Sequence, residues 1–343
     1  MKNEVPLFSI VIPLYNREKL VVETLRSVQS QTYTHWECLV VDDGSTDKSF
    51  KVAQGFSEVD SRIKVIKRDK EPKGAPACRN IGIKLAQGEY LIFLDSDDLL
   101  VPEALARRKV FFEQHNDNDF IVFPAGLFKW EIDDTKKVWN LLNKEEKADL
   151  ERFFDRDTPW EITAPTWKLS SIRKLEGFDE QLDSGQDWEL HVRALIMGLN
   201  YTKSPDTLEY IDHFIRRGIE DTTKVYFYDK KRMENRLVMY ANILQLLQTQ
   251  ECKVDERYIV KHLIRYAWQA VQEGHNNLVS QPIKILKSFG YITTIQEVLL
   301  KWRLQNINLF VNRIIDAILF RAYKLANLLE PINSSLNSKE PFN

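Results

Sequence analysis

The sequence predicts a doubly wound α/β sheet with an additional C-terminal helical region. Over residues 8–125, short apolar runs alternate with amphipathic stretches. Such runs suit strands buried on both faces, and helices between them imply right-handed parallel crossovers. Three polar clusters, Tyr15-Asn16-Arg17, Asp42-Asp43-Gly44-Ser45 and Asp95-Ser96-Asp97-Asp98, follow apolar runs. Open α/β sheets bind ligands at the carboxyl ends of their strands, where these clusters fall.

The elements follow in order. Residues 8–12 form the first apolar run, ended by Pro13, and 18–29 carry Leu20, Val21, Leu25 and Val28 at helical spacing. The second run is 39–41, after which Ser45 and Thr46 can cap a helix through Phe56. The third run is 63–66, with a helix from about 77 to 86. The fourth run is 90–94, with a helix from about 102 to 114, and the fifth is 120–123. Residues 126–215 are less regular and tryptophan-rich; from about 225 to 329 the pattern is helical.

Composition narrows the function. An apolar fraction of 43% with 29% charged residues describes an ordinary globular protein. A net charge of -2 lacks the basic footprint of a nucleic-acid binder. Cys38, Cys78 and Cys252 are far apart and odd in number, against a disulfide framework and in keeping with a reducing compartment. The N-terminus has no signal-peptide core, and no long uncharged apolar run occurs, so the expected location is cytoplasmic.

The polar clusters each support two readings. Asp95 and Asp97, spaced by one residue after a strand, can face the same side. Hard oxygen ligands of this kind suit Mg²⁺ or Mn²⁺, whose shells phosphate and water complete; the other reading is an acidic turn capping the next helix. An EF-hand is disfavoured, because counting from Asp95 puts Leu100 and Ala106 where glycine and glutamate are needed. Asp42 and Asp43 can accept from a base or ribose, or can simply form a turn. The first strand lacks both a Gly-x-Gly-x-x-Gly and a Walker sequence, so any bound nucleotide depends on metal for its phosphates.

Four segments, in order, resemble the motifs of family 2 glycosyltransferases: residues 9–16 (Ser-Ile-Val-Ile-Pro-Leu-Tyr-Asn), 40–47 (Val-Val-Asp-Asp-Gly-Ser-Thr-Asp), 74–80 (Gly-Ala-Pro-Ala-Cys-Arg-Asn) and 88–98 (Gly-Glu-Tyr-Leu-Ile-Phe-Leu-Asp-Ser-Asp-Asp). The resemblance implies a GT-A fold, a nucleotide-diphosphate sugar donor (most commonly a UDP-sugar), Mn²⁺ or Mg²⁺, and transfer with inversion. By position, Pro13, Tyr15 and Asp43 resemble the nucleoside-binding residues, and Arg79 and Asn80 the Arg-Asn pair beside the donor. Asp95 and Asp97 match the Asp-x-Asp, with Asp97 the direct metal ligand. Cys78 stands where alanine or serine is expected and reads as a packing residue.

Residues 177–180 (Gly-Phe-Asp-Glu) and 185–190 (Gly-Gln-Asp-Trp-Glu-Leu) resemble a later motif pair, putting Asp187 in the catalytic base position. Gln186 departs from the usual glutamate. His213 lies where some members place a histidine that contacts metal or diphosphate, although its setting also suits a structural histidine. Trp188 and Trp167 are candidates for an acceptor wall or for core packing.

The resemblance divides the chain into a GT-A catalytic domain (1–215), a helical C-terminal region (216–330) and a flexible tail (331–343). Within the catalytic domain, 1–125 is the nucleotide-sugar-binding half and 126–215 the acceptor-side half. Between 309 and 329 the polar residues Arg313, Asp316, Arg321, Lys324 and Asn327 span an arc of about 140° at 100° per residue. That helix either packs on protein, a second copy included, or lies on the inner face of a membrane near a lipid-linked acceptor. The expected activity is transfer to a saccharide or lipid-linked saccharide in surface polysaccharide or glycoconjugate synthesis. The alternatives are a non-catalytic sugar-nucleotide scaffold and a sugar nucleotidyltransferase, whose Gly-rich phosphate loop is missing.

Overall fold

The computed structural model describes residues 7–132, 134–144, 146–217 and 229–305. They fall into two compact units, Met1–Lys147 with Thr158–Ile219, and Ala148–Asp157 with Glu220–Asn343. Residues 148–157, placed by the sequence reading in the sheet-bearing half, therefore group with the helical unit.

The first unit is built on a seven-stranded sheet. β1 (Phe8–Leu14), β2 (Trp36–Asp42), β3 (Ile63–Lys67) and β4 (Tyr90–Phe93) run parallel, with β1 between β2 and β4. The central strands are mostly apolar on both faces because helices cover the sheet, and β2 is buried at every position, whereas the edge strand β3 (Ile-Lys-Val-Ile-Lys) leaves Lys64 and Lys67 exposed. Pro13 does not end β1. Pairing with β4 stops at Val11, so the proline, which has no N–H to donate, stands where only β2 is alongside.

Two features depart from a uniformly parallel sheet. The short β9 (Pro165–Lys168) lies antiparallel between β4 and β6 (Phe120–Val122), and β10 (Tyr201–Lys203) closes that edge beside β6. A second sheet, in the order β5 (Leu99–Leu100), β11 (His213–Arg216), β7 (Ala125–Phe128), β8 (Lys137–Val138), gathers segments that are distant in sequence. β5 begins immediately after Asp98, so this second sheet grips the acidic turn that ends β4.

The crossover helices are α1 (Val21–Gln29), α2 (Ser49–Val59) and α3 (Ala75–Leu85), followed by α4 (Ala104–Gln114). α1 buries Val21, Thr24, Leu25 and Val28, a stripe at helical spacing. α3 sits unusually close to β1: a Cβ on Gly82 would lie 2.2 Å from Val11 Cγ1. This close approach sets the depth at which Arg79, one turn earlier, enters the protein.

The second unit combines α5 (Asp149–Phe154) with α8 (Lys230–Thr249), α9 (Glu256–Gln272), α10 (Ser280–Ser288) and α11 (Thr294–Gln305). Asp229 and Asp255 cap α8 and α9 by accepting from the Arg232 and Arg257 N–H groups. His262 of α9 is buried and bonds the Phe154 carbonyl at 2.7 Å, which holds α5 to this bundle. No described helix is long and apolar enough to cross a membrane. The 309–329 segment and the 331–343 tail lie outside the described residues.

Candidate functional site

The site forms where β1, β2 and β4 end. After β1, Asn16 adopts a left-handed φ of 50°, and its side chain accepts from the Thr46 N–H at 2.8 Å. Arg17 N–H donates to Ser49 Oγ at 2.7 Å, and Asn16 N–H to Ser45 Oγ at 3.1 Å. The two loops after β1 and β2 are thus stitched together. Tyr15 is left 52% exposed at the strand end, unusual for so large an apolar surface.

The second cluster splits its two carboxylates. Asp42 is buried and accepts from the Gly44 and Ser45 N–H groups, so it makes the turn. Asp43 accepts from Arg68 and from the Gly74 N–H at 3.0 Å, tying the β3–α3 loop to the end of β2. Cys78 Sγ lies 3.6 Å from Asp43. Burial, and next the Asp43 charge, push its thiol up to about 12, so the group stays protonated.

The acidic cluster is a turn, with the Asp98 N–H bonded to the Asp95 carbonyl at 3.1 Å. Turn geometry, not the alternation of a strand, therefore brings Asp95 and Asp97 together. Arg79 Nη2 donates to Asp95 at 2.6 Å, and Arg17 Nε approaches Asp97 at 3.4 Å. Burial and then the Asp95 charge raise Asp97 above the ordinary carboxylate range, against Arg17. Asp98 points elsewhere: it is buried and accepts the Arg216 N–H at 2.9 Å.

Arg79 is 3% exposed, yet its Nε and Nη1 have no hydrogen-bond partner. Buried unsatisfied donors cost about 1–3 kcal/mol each, a penalty that an anionic ligand removes. The donor set also fits a divalent ion: two crowded hard-oxygen carboxylates, one oxygen of Asp95 not held by arginine, and a nearby cationic group for phosphate. Among the described residues no three or more His, Cys, Asp or Glu side chains converge as a metal site. Mg²⁺ and Mn²⁺ need only one or two protein carboxylates when phosphate supplies the rest.

Asp187 is contributed by a later helix. Gly185, at φ 77°, starts α7 (Gln186–Ile196), so Asp187 lies in the first helical turn. Burial raises its carboxyl above the ordinary range, while the Trp188 N–H and the Arg79 charge oppose the rise; the Asp95 charge adds to it. Both Arg79 and Asp95 are therefore close enough to act on Asp187. Glu189 pairs with Arg193 at 2.7 Å, and Arg193 also donates to the Gly177 carbonyl at 2.6 Å.

Asn80 completes that connection. Its amide donates to the Phe178 carbonyl at 2.9 Å and to Glu180 at 2.8 Å, while its oxygen accepts the Phe178 N–H at 2.8 Å. The amide docks the 177–180 turn onto α3. Gly177 is required there: φ is 68°, and a Cβ would meet Asn80 Oδ1 at 2.4 Å.

Two further expectations change. Trp167 is fully buried on β9 and packs against Phe120, so it is core and not acceptor wall. Trp188 is half-buried on α7 beside Asp187. His213, expected at the metal, is fully buried with Nδ1 at 2.7 Å from Asp212 and Nε2 at 2.6 Å from Glu161. Neither ring nitrogen is open to an ion.

His213 belongs to a charged network that sequence reading missed. Arg108 of α4 makes a two-pronged pair with Asp212 at 2.7 and 2.8 Å and also donates to Thr166 Oγ1 at 2.9 Å. Burial would push the imidazole down, but the Glu161 charge and hydrogen bonds to both carboxylates raise it above its ordinary value. Burial likewise opposes ionisation of Asp212, and Arg108 overcomes it to lower that carboxyl. Glu161 also acts on Asp98, so the network reaches the acidic turn. A signal was present in the sequence: Leu105, Arg108 and Phe112 share one face of α4, and a cation on an apolar face requires buried partners.

A mixed sheet of parallel and antiparallel strands, with Asp95 and Asp97 just past the end of β4 and Arg79 on Asp95, is the architecture of the GT-A fold. Residues 9–174 match the family described as Glycosyl transferase family 2, and the chain carries a domain of that family. Glycosyltransferase GlyG of Streptococcus pneumoniae serotype 4 is 28% identical over 180 residues, which cover 51% of this chain and 58% of that protein. The putative teichuronic acid biosynthesis glycosyltransferase TuaG of Bacillus subtilis is 37% identical over 116 residues, covering 34% and 46%. The chain thus spans about half the length of these curated relatives. Among solved structures, S. aureus TarS 1-349 in complex with UDP-GlcNAc shares the fold at a TM-score of 0.64 and 18% identity, over 92% of this chain and 91% of that one. The mannosyltransferase PcManGT from Pyrobaculum calidifontis, in complex with GDP-Man and Mn²⁺, has a TM-score of 0.51 at 15% identity, over 94% and 88%.

Proposed function

We propose that this chain is an inverting glycosyltransferase that moves a sugar from a nucleotide-diphosphate donor to a saccharide or lipid-linked saccharide acceptor in surface polysaccharide or glycoconjugate synthesis. The observation that carries the reading is buried, partly unsatisfied Arg79 paired with Asp95 beside Asp97, with the Arg79 and Asp95 charges both acting on Asp187. The relatives with teichuronic acid and TarS names support the polymer class, and the UDP-GlcNAc complex supports a UDP-sugar donor.

Tyr15 offers an exposed ring for the base, Pro13 shapes the strand end beneath it, and Asp43 holds the loop at which the base would hydrogen-bond. Arg79 directs its two free donors at the diphosphate. Asp97, assisted by Asp95, would hold Mn²⁺ or Mg²⁺, which when bound neutralises charge on the leaving diphosphate. Asp187 takes the proton from the attacking acceptor hydroxyl, and its raised pKa makes it the stronger base. Trp188, next to it on α7, is the aromatic face we assign to the acceptor sugar.

The test is a thermal-shift panel of UDP-, GDP- and dTDP-sugars with and without Mn²⁺, followed by donor turnover with the stabilising compound. Stabilisation scales with affinity, by about 2.7 kcal/mol at a hundredfold excess over Kd. Mn²⁺-dependent stabilisation and turnover, both lost on chelation, are expected. Binding without any turnover would favour the scaffold alternative, and no binding by any donor would sink the reading.

A further inference from the structure

Arg216 stands at the junction of four segments and is 4% exposed at its side chain. Its Nε donates to the Asp97 carbonyl at 3.0 Å, Nη1 to the Lys129 carbonyl at 3.3 Å, and Nη2 to Glu23 Oε2 at 2.6 Å. Its own backbone N–H holds Asp98, and its guanidinium lies 4.3 Å from the Phe128 ring. The planar fork therefore links α1, the 95–98 turn and the end of β7.

The backbone around it is equally constrained. β11 pairs with β7 in a register that sets Arg216 opposite Phe128, and on its other side with β5, which begins right after Asp98. The acidic turn is thus held at its start by Arg79 on Asp95 and at its end by β5, Asp98 and the Arg216 fork. Between these two anchors Asp97 presents its carboxylate with Arg17 at a long 3.4 Å. An arginine beside an acidic turn could contact phosphate or lie in solvent. Neither fits a buried guanidinium with every nitrogen bonded to protein.

We propose that Arg216 is a positioning residue for divalent-ion binding: its fork fixes the 95–98 turn so that the Asp97 carboxylate is aimed at the ion. This rests on the reading of Asp97 as the ion's ligand. Lysine cannot reproduce the role fully, because a single ammonium nitrogen cannot span the Asp97, Lys129 and Glu23 oxygens in one plane.

The test titrates full-length protein with Mn²⁺ alone and with Mn²⁺ plus UDP, reading free Mn²⁺ by electron paramagnetic resonance, in wild type, Arg216→Met, Arg216→Lys and Glu23→Gln. Outer-shell partners of metal ligands typically contribute about 10–100-fold in affinity. Arg216→Met should lose Mn²⁺ affinity within that range, Arg216→Lys should recover part of it, and uridine binding measured without metal should stay near wild type. If Arg216→Met does not fold, Glu23→Gln decides: it removes only the exposed end of the fork, and a severalfold loss of Mn²⁺ affinity with an unchanged Tm is expected. Wild-type affinity in folded Arg216→Met, or in Glu23→Gln should that variant have to decide, would overturn the proposal. A wild type that takes up no Mn²⁺ under either condition would instead count against Asp97 as ligand.

Discussion

His213→Phe isolates the buried charge network and has a sign that can be worked out in advance. The substitution removes the partner that both Asp212 and Glu161 share, at 2.7 and 2.6 Å. Asp212 keeps its two-pronged pair with Arg108, but Glu161 is left with the hydrogen bond from the Thr163 N–H. Breaking one side of a buried ionic pair costs about 3–5 kcal/mol, because the other charge is stranded. At about 2–4 °C per kcal/mol for a domain of this size, Tm should fall by about 6–20 °C. The folded pKa of His213 is raised above its ordinary 6.5, so its stabilising charge is fully present below that value and lost as pH rises through the folded pKa. The deficit of the variant should therefore shrink as pH is raised from about 6.5 toward 9, read by chemical denaturation at each pH. Adding Glu161→Gln should restore part of the loss, since the stranded charge disappears and the two changes are coupled. A deficit that is constant or grows with pH would mean the imidazole is neutral in the fold, and the reasoning would fail.

Asp187→Asn should leave the Kd for the donor nearly unchanged while turnover falls by about 10²–10⁴-fold, the usual range for a general base. Equal loss of donor affinity would count against Asp187 as base. Because its pKa is raised, the acid limb of the wild-type rate profile should lie above the ordinary carboxylate range. Gly82→Ala forces a methyl into Val11, where the Cβ would stand 2.2 and 2.6 Å from the two methyl carbons. Overpacking of that kind costs about 1–3 kcal/mol by denaturation, and Val11→Ala on the same chain should return part of it.

The parallel half of the large sheet was legible because its signals are local. β1, β2 and β4 are short, continuous apolar runs followed by polar clusters, and the crossover helices have their own periodicity. β9, β7 and β11 were not legible for the converse reason. Each is four residues long, and its partner is contributed by a remote segment, as where His213 pairs with both Leu100 and Ala125. Residue type still carried information at these places, but about partners instead of elements. Arg108 on an apolar helix face required a buried anion, and the anion proved to be Asp212, adjacent to the histidine that had been assigned to metal.

The same distinction explains which site residues changed roles. Asp95 and Asp97 follow the end of β4 and Asp187 lies in the first turn of α7, where the fold leaves polar atoms without backbone partners, and Arg79, within α3, retains two open donors. Partly buried Asn80 and fully buried His213 carry equally polar groups, but in each of them those groups are taken up by protein. Asn80 holds the turn that leads to α7 and hence the position of Asp187. His213 holds the strand whose last residue, Arg216, grips the acidic turn. Asp97 and Asp187 can keep raised pKa values because Asn80, His213 and Arg216 behind them are bonded to protein: preorganisation of the outer groups is set by satisfaction of the inner ones.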